Sequence, residues 1–123
     1  MTPPIITLRG VSKIFSGHRA AVTAVDNVDL EIREGEIFGV IGYSGAGKST
    51  LVRLINALES TTSGTITVAG TEITGLPERK LREVRAGIGM IFQQFNLLTS
   101  RTVAGNVAYP LRLAKVPRAE RER

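Results

Sequence analysis

Residues 37–49 read Ile37-Phe38-Gly39-Val40-Ile41-Gly42-Tyr43-Ser44-Gly45-Ala46-Gly47-Lys48-Ser49: an apolar run, a glycine-rich loop, then a lysine and a serine. The run Ile37–Ile41 is continuous rather than alternating, which predicts a strand buried on both faces, as in a parallel sheet. Past the loop, Leu51, Leu54, Ile55 and Leu58 fall at i, i+3, i+4 and i+7. That spacing predicts an amphipathic helix. Residues 42–49 fit G-x-x-x-x-G-K-[ST], and they do so between a strand and a helix, the context the pattern requires. At average residue usage chance places this pattern in a chain of such length about once in two hundred. Each fixed position has a physical reason. The glycines allow the main chain to close around phosphate oxygens. Successive N–H groups from about Gly45 to Ser49 then face one anion-sized hollow. The helix adds its positive end and unpaired amides. Lys48 supplies a point charge for the β- and γ-phosphates, and the Ser49 hydroxyl is placed to ligate Mg²⁺.

On the N-terminal side, Ile5–Leu8 and Val11 read as a first strand with a bend at Gly10. Ser16–Arg19 reads as a turn. A second strand follows from Ala24, with Val25, Val28, Leu30 and Ile32 apolar, and Glu34-Gly35-Glu36 turns the chain into the apolar run. On the C-terminal side, the Ser/Thr-rich stretch 59–64 ends the helix. Thr65–Val68 alternates and turns at Ala69-Gly70-Thr71 toward Ile73, a hairpin pattern. Pro77 suits the first position of a helix running to about Arg85. Ile88–Phe92 predicts another short buried strand, leading into Gln93-Gln94. Thr102 is placed to cap a helix through Tyr109 that Pro110 would interrupt or kink, and Pro117 opens a charged helical stretch.

The composition bounds the remaining chemistry. The 123 residues are 42% apolar and 22% charged, a globular balance for one domain. With no cysteine and one histidine, disulfides, thiolate or multi-histidine metal sites and a cysteine nucleophile are excluded. No apolar stretch approaches the ~18 residues of a membrane-spanning helix. The start Met1-Thr2-Pro3-Pro4 has no basic-then-apolar leader, so a cytoplasmic location is the expectation. The net charge of +5 is uneven, since residues 77–123 carry 10 basic and 4 acidic side chains. Both signs alternate there and no aromatics interleave, which suits a solvated face better than a nucleic-acid surface.

With these residues in place, a resemblance emerges. Gly42-Tyr43-Ser44-Gly45-Ala46-Gly47-Lys48-Ser49-Thr50-Leu51 resembles the loop G-x-S-G-x-G-K-S-T of the ATP-binding subunits of ABC transporters. Three further segments are similar in order and spacing. Val11–Phe15 resembles the strand carrying the aromatic A-loop residue, Ser63–Gly70 the hairpin after the first helix, and Ile88–Leu98 the Q-loop region. Within the family, Phe92–Val103 with Gly105-Asn106-Val107 looks most like the methionine-importer ATPases. The resemblance implies ATP and Mg²⁺ as cofactors. It places Phe15 as a platform for adenine, unless Phe15 belongs to the core, and Thr50 beside the α-phosphate. Gly42, Ser44, Gly45, Ala46, Gly47, Lys48 and Ser49 would form the nucleotide cradle. Gln93 would help hold Mg²⁺ or the attacking water and sense the membrane subunit, with Gln94 the register-shifted alternative. Residues 1–94 would then be the β-part and P-loop core, and residues 95–123 the start of a helical subdomain that docks on a permease. His18 reads as a turn residue only.

The same resemblance marks what these 123 residues lack. No Asp or Glu follows four apolar residues, so there is no Walker B acid, and no L-S-G-G-Q-like signature is present. The family places both after the Q-loop. The expectation is therefore the N-terminal part of an ABC ATPase: an α/β P-loop NTPase nucleotide-binding core, incomplete, with an antiparallel β-part and the start of a helical subdomain. Alone it would be inactive. Intact, it would pair with a second ATPase subunit at the cytoplasmic face of the membrane. It would drive import through permease subunits fed by an extracytoplasmic substrate-binding protein, with no nucleic-acid partner. The competing readings are another P-loop NTPase, such as a small-molecule kinase, and a basic nucleic-acid-binding module.

Overall fold

The computed structural model describes residues 3–123. The chain falls into two compact units, Met1–Ile88 and Gly89–Arg123. The first is built on a four-stranded antiparallel sheet, order β2-β1-β3-β4. Strands β1 (Pro4–Phe15) and β2 (Val22–Arg33) form a long ribbon, pairing Leu8 with Leu30 and Phe15 with Val22. Between Leu8 and Val11 the register slips by one residue, at the predicted Gly10 bend, where the Gly10 N–H donates to Asp29 Oδ1 (2.7 Å). Strand β3 (Ser63–Val68) pairs with the other edge of β1 and returns through Ala69-Gly70 into β4 (Thr71–Glu72). Both turn residues have positive φ, 49° and 81°, the geometry that matches strand twist in a two-residue hairpin.

Helix α1 (Lys48–Ile55) lies on this sheet through Leu54, which joins Leu8, Val11, Val25, Ile66, Val68 and Ile73 in the buried core. The helix is shorter than its periodicity predicts. Asn56 caps it, Ala57 turns left-handed (φ 59°), and the Leu58 and Ala57 N–H groups fold back onto the Arg53 and Leu54 carbonyls. Leu58 thus leaves the helix and is 47% exposed. Helix α2 (Glu78–Ala86) follows, with Pro77 as its N-cap, one position earlier than predicted.

The second unit holds α3 (Val103–Leu113) and α4 (Arg118–Arg121). Thr102 caps α3 as predicted, its Oγ1 accepting from the Gly105 N–H at 3.0 Å. Pro110 does not interrupt it. Proline removes one backbone bond, but the next turn closes normally, Ala114 N–H to Pro110 carbonyl at 3.0 Å. The Asn106 side chain also ties the first turn down by bonding Leu98 and Thr102.

Two predicted strands are corrected. Neither 37–41 nor 88–92 joins a ladder, and Ile37, Ile41 and Ile91 are almost wholly exposed. A strand buried on both faces exists only between neighbouring strands, and among the described residues neither segment is part of the sheet.

Candidate phosphate-binding site

The glycine-rich loop makes a tight turn in which the Ala46 N–H donates to the Tyr43 carbonyl (3.0 Å). Helix α1 then opens at Lys48 with Gly47 as N-cap. Gly47 supplies no side-chain cap, and the first turn carries no acid. A helix start without a side-chain cap concentrates partial positive charge and N–H donors that an anion can satisfy. Gly47 (φ 80°) is fixed by more than its dihedral. A Cβ there would stand 2.0 Å from the Ala24 carbonyl oxygen, so the loop is pressed against β2.

Lys48 is half-buried and folds back over the loop. Its Nζ donates to the Gly42 carbonyl (2.7 Å) and the Tyr43 carbonyl (3.3 Å). An ammonium has three donors, so one remains for a phosphate oxygen while the other two hold the lysine in place. Ser49 and Thr50 occupy the first turn of α1, Ser49 exposed and Thr50 partly buried. A hollow of about 210 Å³ lies beside the loop, lined by Ala24, Asp26, Val40, Gly47 and Lys48 among others.

The sheet brings Phe15 toward this loop. Phe15 ends β1, is 39% exposed, and pairs with Val22. Ala24, which touches Gly47, stands two residues further along β2, about 7 Å at strand rise. Lys13 was not singled out by the sequence reading. Its Nζ stands 5.1 Å from the Phe15 ring centroid and 3.5 Å from Glu59 Oε2. The signal was present in the i, i+2 spacing of Lys13 and Phe15 on one strand face. Gln93 and Gln94 lie in the second unit, both exposed, in a bend. His18 is exposed in the connection between β1 and β2.

Among the described residues no group of three or more His, Cys, Asp or Glu could cage a metal ion. Mg²⁺ seldom uses such a cage: one or two protein oxygens with substrate phosphates and water suffice. The Ser49 hydroxyl, in the first turn of α1 directly after the loop, fits that donor set.

The loop and the helix start behind it form a candidate phosphate cradle on an α/β cassette, and residues 25–123 match the family described as ABC transporter. The chain belongs to that family. It is 66% identical over 118 residues to the methionine import ATP-binding protein MetN 2 of Rhodococcus jostii, covering 96% of this chain and 35% of that protein. It is 61% identical over 119 residues to the methionine import ATP-binding protein MetN of Geobacillus kaustophilus, covering 97% and 35%. The chain thus spans about a third of the length of the curated relatives it matches. Among solved structures it is similar to the ABC transporter cassette MJ0796 in its dimeric form (TM-score 0.89, 34% identity, 94% of this chain and 52% of that one). A post-hydrolysis dimer of the same cassette bound to ADP and Pi matches equally well (TM-score 0.88, 33% identity, 94% and 52%). The fold class is accordingly the α/β ABC cassette. The described elements are its antiparallel sheet and helices, and they cover part of it.

Proposed function

We propose that this chain is the nucleotide-binding portion of an ATP-binding subunit that powers import of methionine or a related amino acid. The observation that carries the reading is Lys48, poised over the loop with one donor to spare, beside a helix start that no side chain caps. Gly42, Ser44, Gly45, Ala46 and Gly47 shape the cradle, Thr50 flanks the α-phosphate, and Phe15 stacks on the base. Ser49 would hold Mg²⁺, with Gln93 as the further family-implied oxygen donor, and the ion would supply charge neutralisation to the phosphates. Lys48 would stabilise the transferred phosphoryl group, and Gln93 would orient the attacking water. The relatives' names and the dimeric cassette support a second copy across the nucleotide, permease subunits, and a substrate-binding protein acting through them. They also support a peripheral place at the cytoplasmic face of the membrane. Among the described residues no helix is long and apolar enough to cross a membrane.

Titration calorimetry tests the site. Lys48→Ala is expected to weaken MgATP binding by ~1.5–3 kcal/mol, the worth of a charge-assisted hydrogen bond, or about tenfold to a hundredfold in Kd. Equal affinities with the fold intact would overturn the assignment.

A further inference from the structure

Lys13 has no part in the phosphate cradle, yet its ammonium is held from two sides, by the Phe15 ring (5.1 Å to the centroid) and by the Glu59 carboxylate (3.5 Å). Its side chain is only 13% exposed, unlike an ordinary solvated lysine. Glu59 belongs to the turn that follows α1, and that turn is bonded to β1. Thr62 Oγ1 accepts from the Ile14 N–H and the Thr62 N–H donates to the Ser12 carbonyl, both at 2.9 Å. The helix that begins at Lys48 is therefore tied, at its far end, to the strand that ends at Phe15.

We propose that Lys13 and Glu59 are positioning residues for the base platform. Lys13 covers one face of the Phe15 ring and fixes its orientation, leaving the other face for a purine, while Glu59 holds Lys13 in place. The proposal rests on the reading that Phe15 stacks on the base. A cation is attracted to the negative face of an aromatic ring. A ring already held in its bound orientation loses less freedom when the base arrives. Stacking reads a π-face and not hydrogen-bonding edges, so ATP and GTP should respond alike. Inorganic tripolyphosphate, which has no base, should not respond.

The test measures binding of ATP, GTP and inorganic tripolyphosphate to the native full-length protein. Lys13→Met is expected to weaken ATP and GTP about two- to fivefold, the scale of one cation–π contact, and to leave tripolyphosphate unchanged. Lys13→Arg should restore most of the loss. Glu59→Gln, which keeps the cation but loosens its hold, should shift both nucleotides in the same direction, and it carries the test if Lys13→Met does not fold. In a Phe15→Ala background, Lys13→Met should have no further effect. If Phe15→Ala itself leaves ATP affinity unchanged, the stacking reading fails and the proposal with it. If Phe15→Ala weakens ATP while Lys13→Met and Glu59→Gln do not, the proposal alone is overturned. It is overturned equally if Lys13→Met weakens tripolyphosphate as much as ATP, or acts undiminished without Phe15.

Discussion

Gly45 and Gly47 share a left-handed backbone, φ 82° and 80°, but not a neighbourhood. A Cβ on Gly45 meets nothing within 4 Å, whereas on Gly47 it meets the Ala24 carbonyl oxygen at 2.0 Å. Gly45→Ala should therefore carry only the left-handed penalty, ~1–2 kcal/mol. Gly47→Ala adds an overlap with backbone that cannot swing aside, a further ~1–3 kcal/mol. It should also push the loop off β2 and weaken nucleotide binding. Urea unfolding of the two variants checks the ranking; equal costs would mean that the Ala24 contact does not hold in solution. The loop glycines were legible in the sequence because the pattern itself demands them. That the last of them abuts Ala24 was not legible. A contact between residues 23 positions apart leaves no local periodicity.

The hairpin and the helix cap were readable because their chemistry is local. Ala69-Gly70 gave the turn, but the first position holds an alanine at φ 49° where asparagine is better suited. Ala69 is exposed and its backbone N–H already bonds the Ile5 carbonyl (2.8 Å), so only its conformational cost is open to change. Ala69→Asn should raise stability by up to ~1 kcal/mol, seen as a higher Tm; a fall would show that the turn has another geometry. At the start of α3, Thr102→Ala removes the bond to the Gly105 N–H and should cost ~1 kcal/mol, read as lost helical signal on heating. The sequence misled at Leu58, and at Pro110 it allowed an interruption that does not occur. A proline rule weighs one missing bond but not the Asn106 ties that anchor the same helix, and an apolar periodicity does not register a left-handed residue such as Ala57. For the site, Lys48 and its cradle were legible from spacing, and Phe15 only through resemblance. The Lys13–Glu59 pair needed the fold, because it joins a strand to the far end of a helix 46 residues later.

On the scale of the whole chain, apolar surface is distributed in a way that the sequence reading expected only in part. Ile37 (100%), Ile41 (95%), Ile91 (99%) and Phe95 (92%) are almost wholly exposed. The same Ile37–Ile41 run that predicted a doubly buried strand thus carries a demand for cover that is left unmet at Ile37 and Ile41. An exposed apolar segment of this kind is a template for association with another chain. Stability and solubility should consequently separate in the 123-residue chain. Leu54 is 1% exposed and joins helix to sheet, so Leu54→Ala should cost ~2–5 kcal/mol in urea unfolding. The double change Ile37→Lys with Ile41→Lys alters two side chains that are themselves almost wholly exposed. Surface changes of that kind stay within about 0.5 kcal/mol. It should nonetheless reduce self-association in sedimentation velocity and lower binding of an apolar dye. A double variant that unfolds as easily as Leu54→Ala would place 37–41 in a packed sheet in solution. The segment would then be a strand after all, with its neighbours supplied by a second copy of the chain.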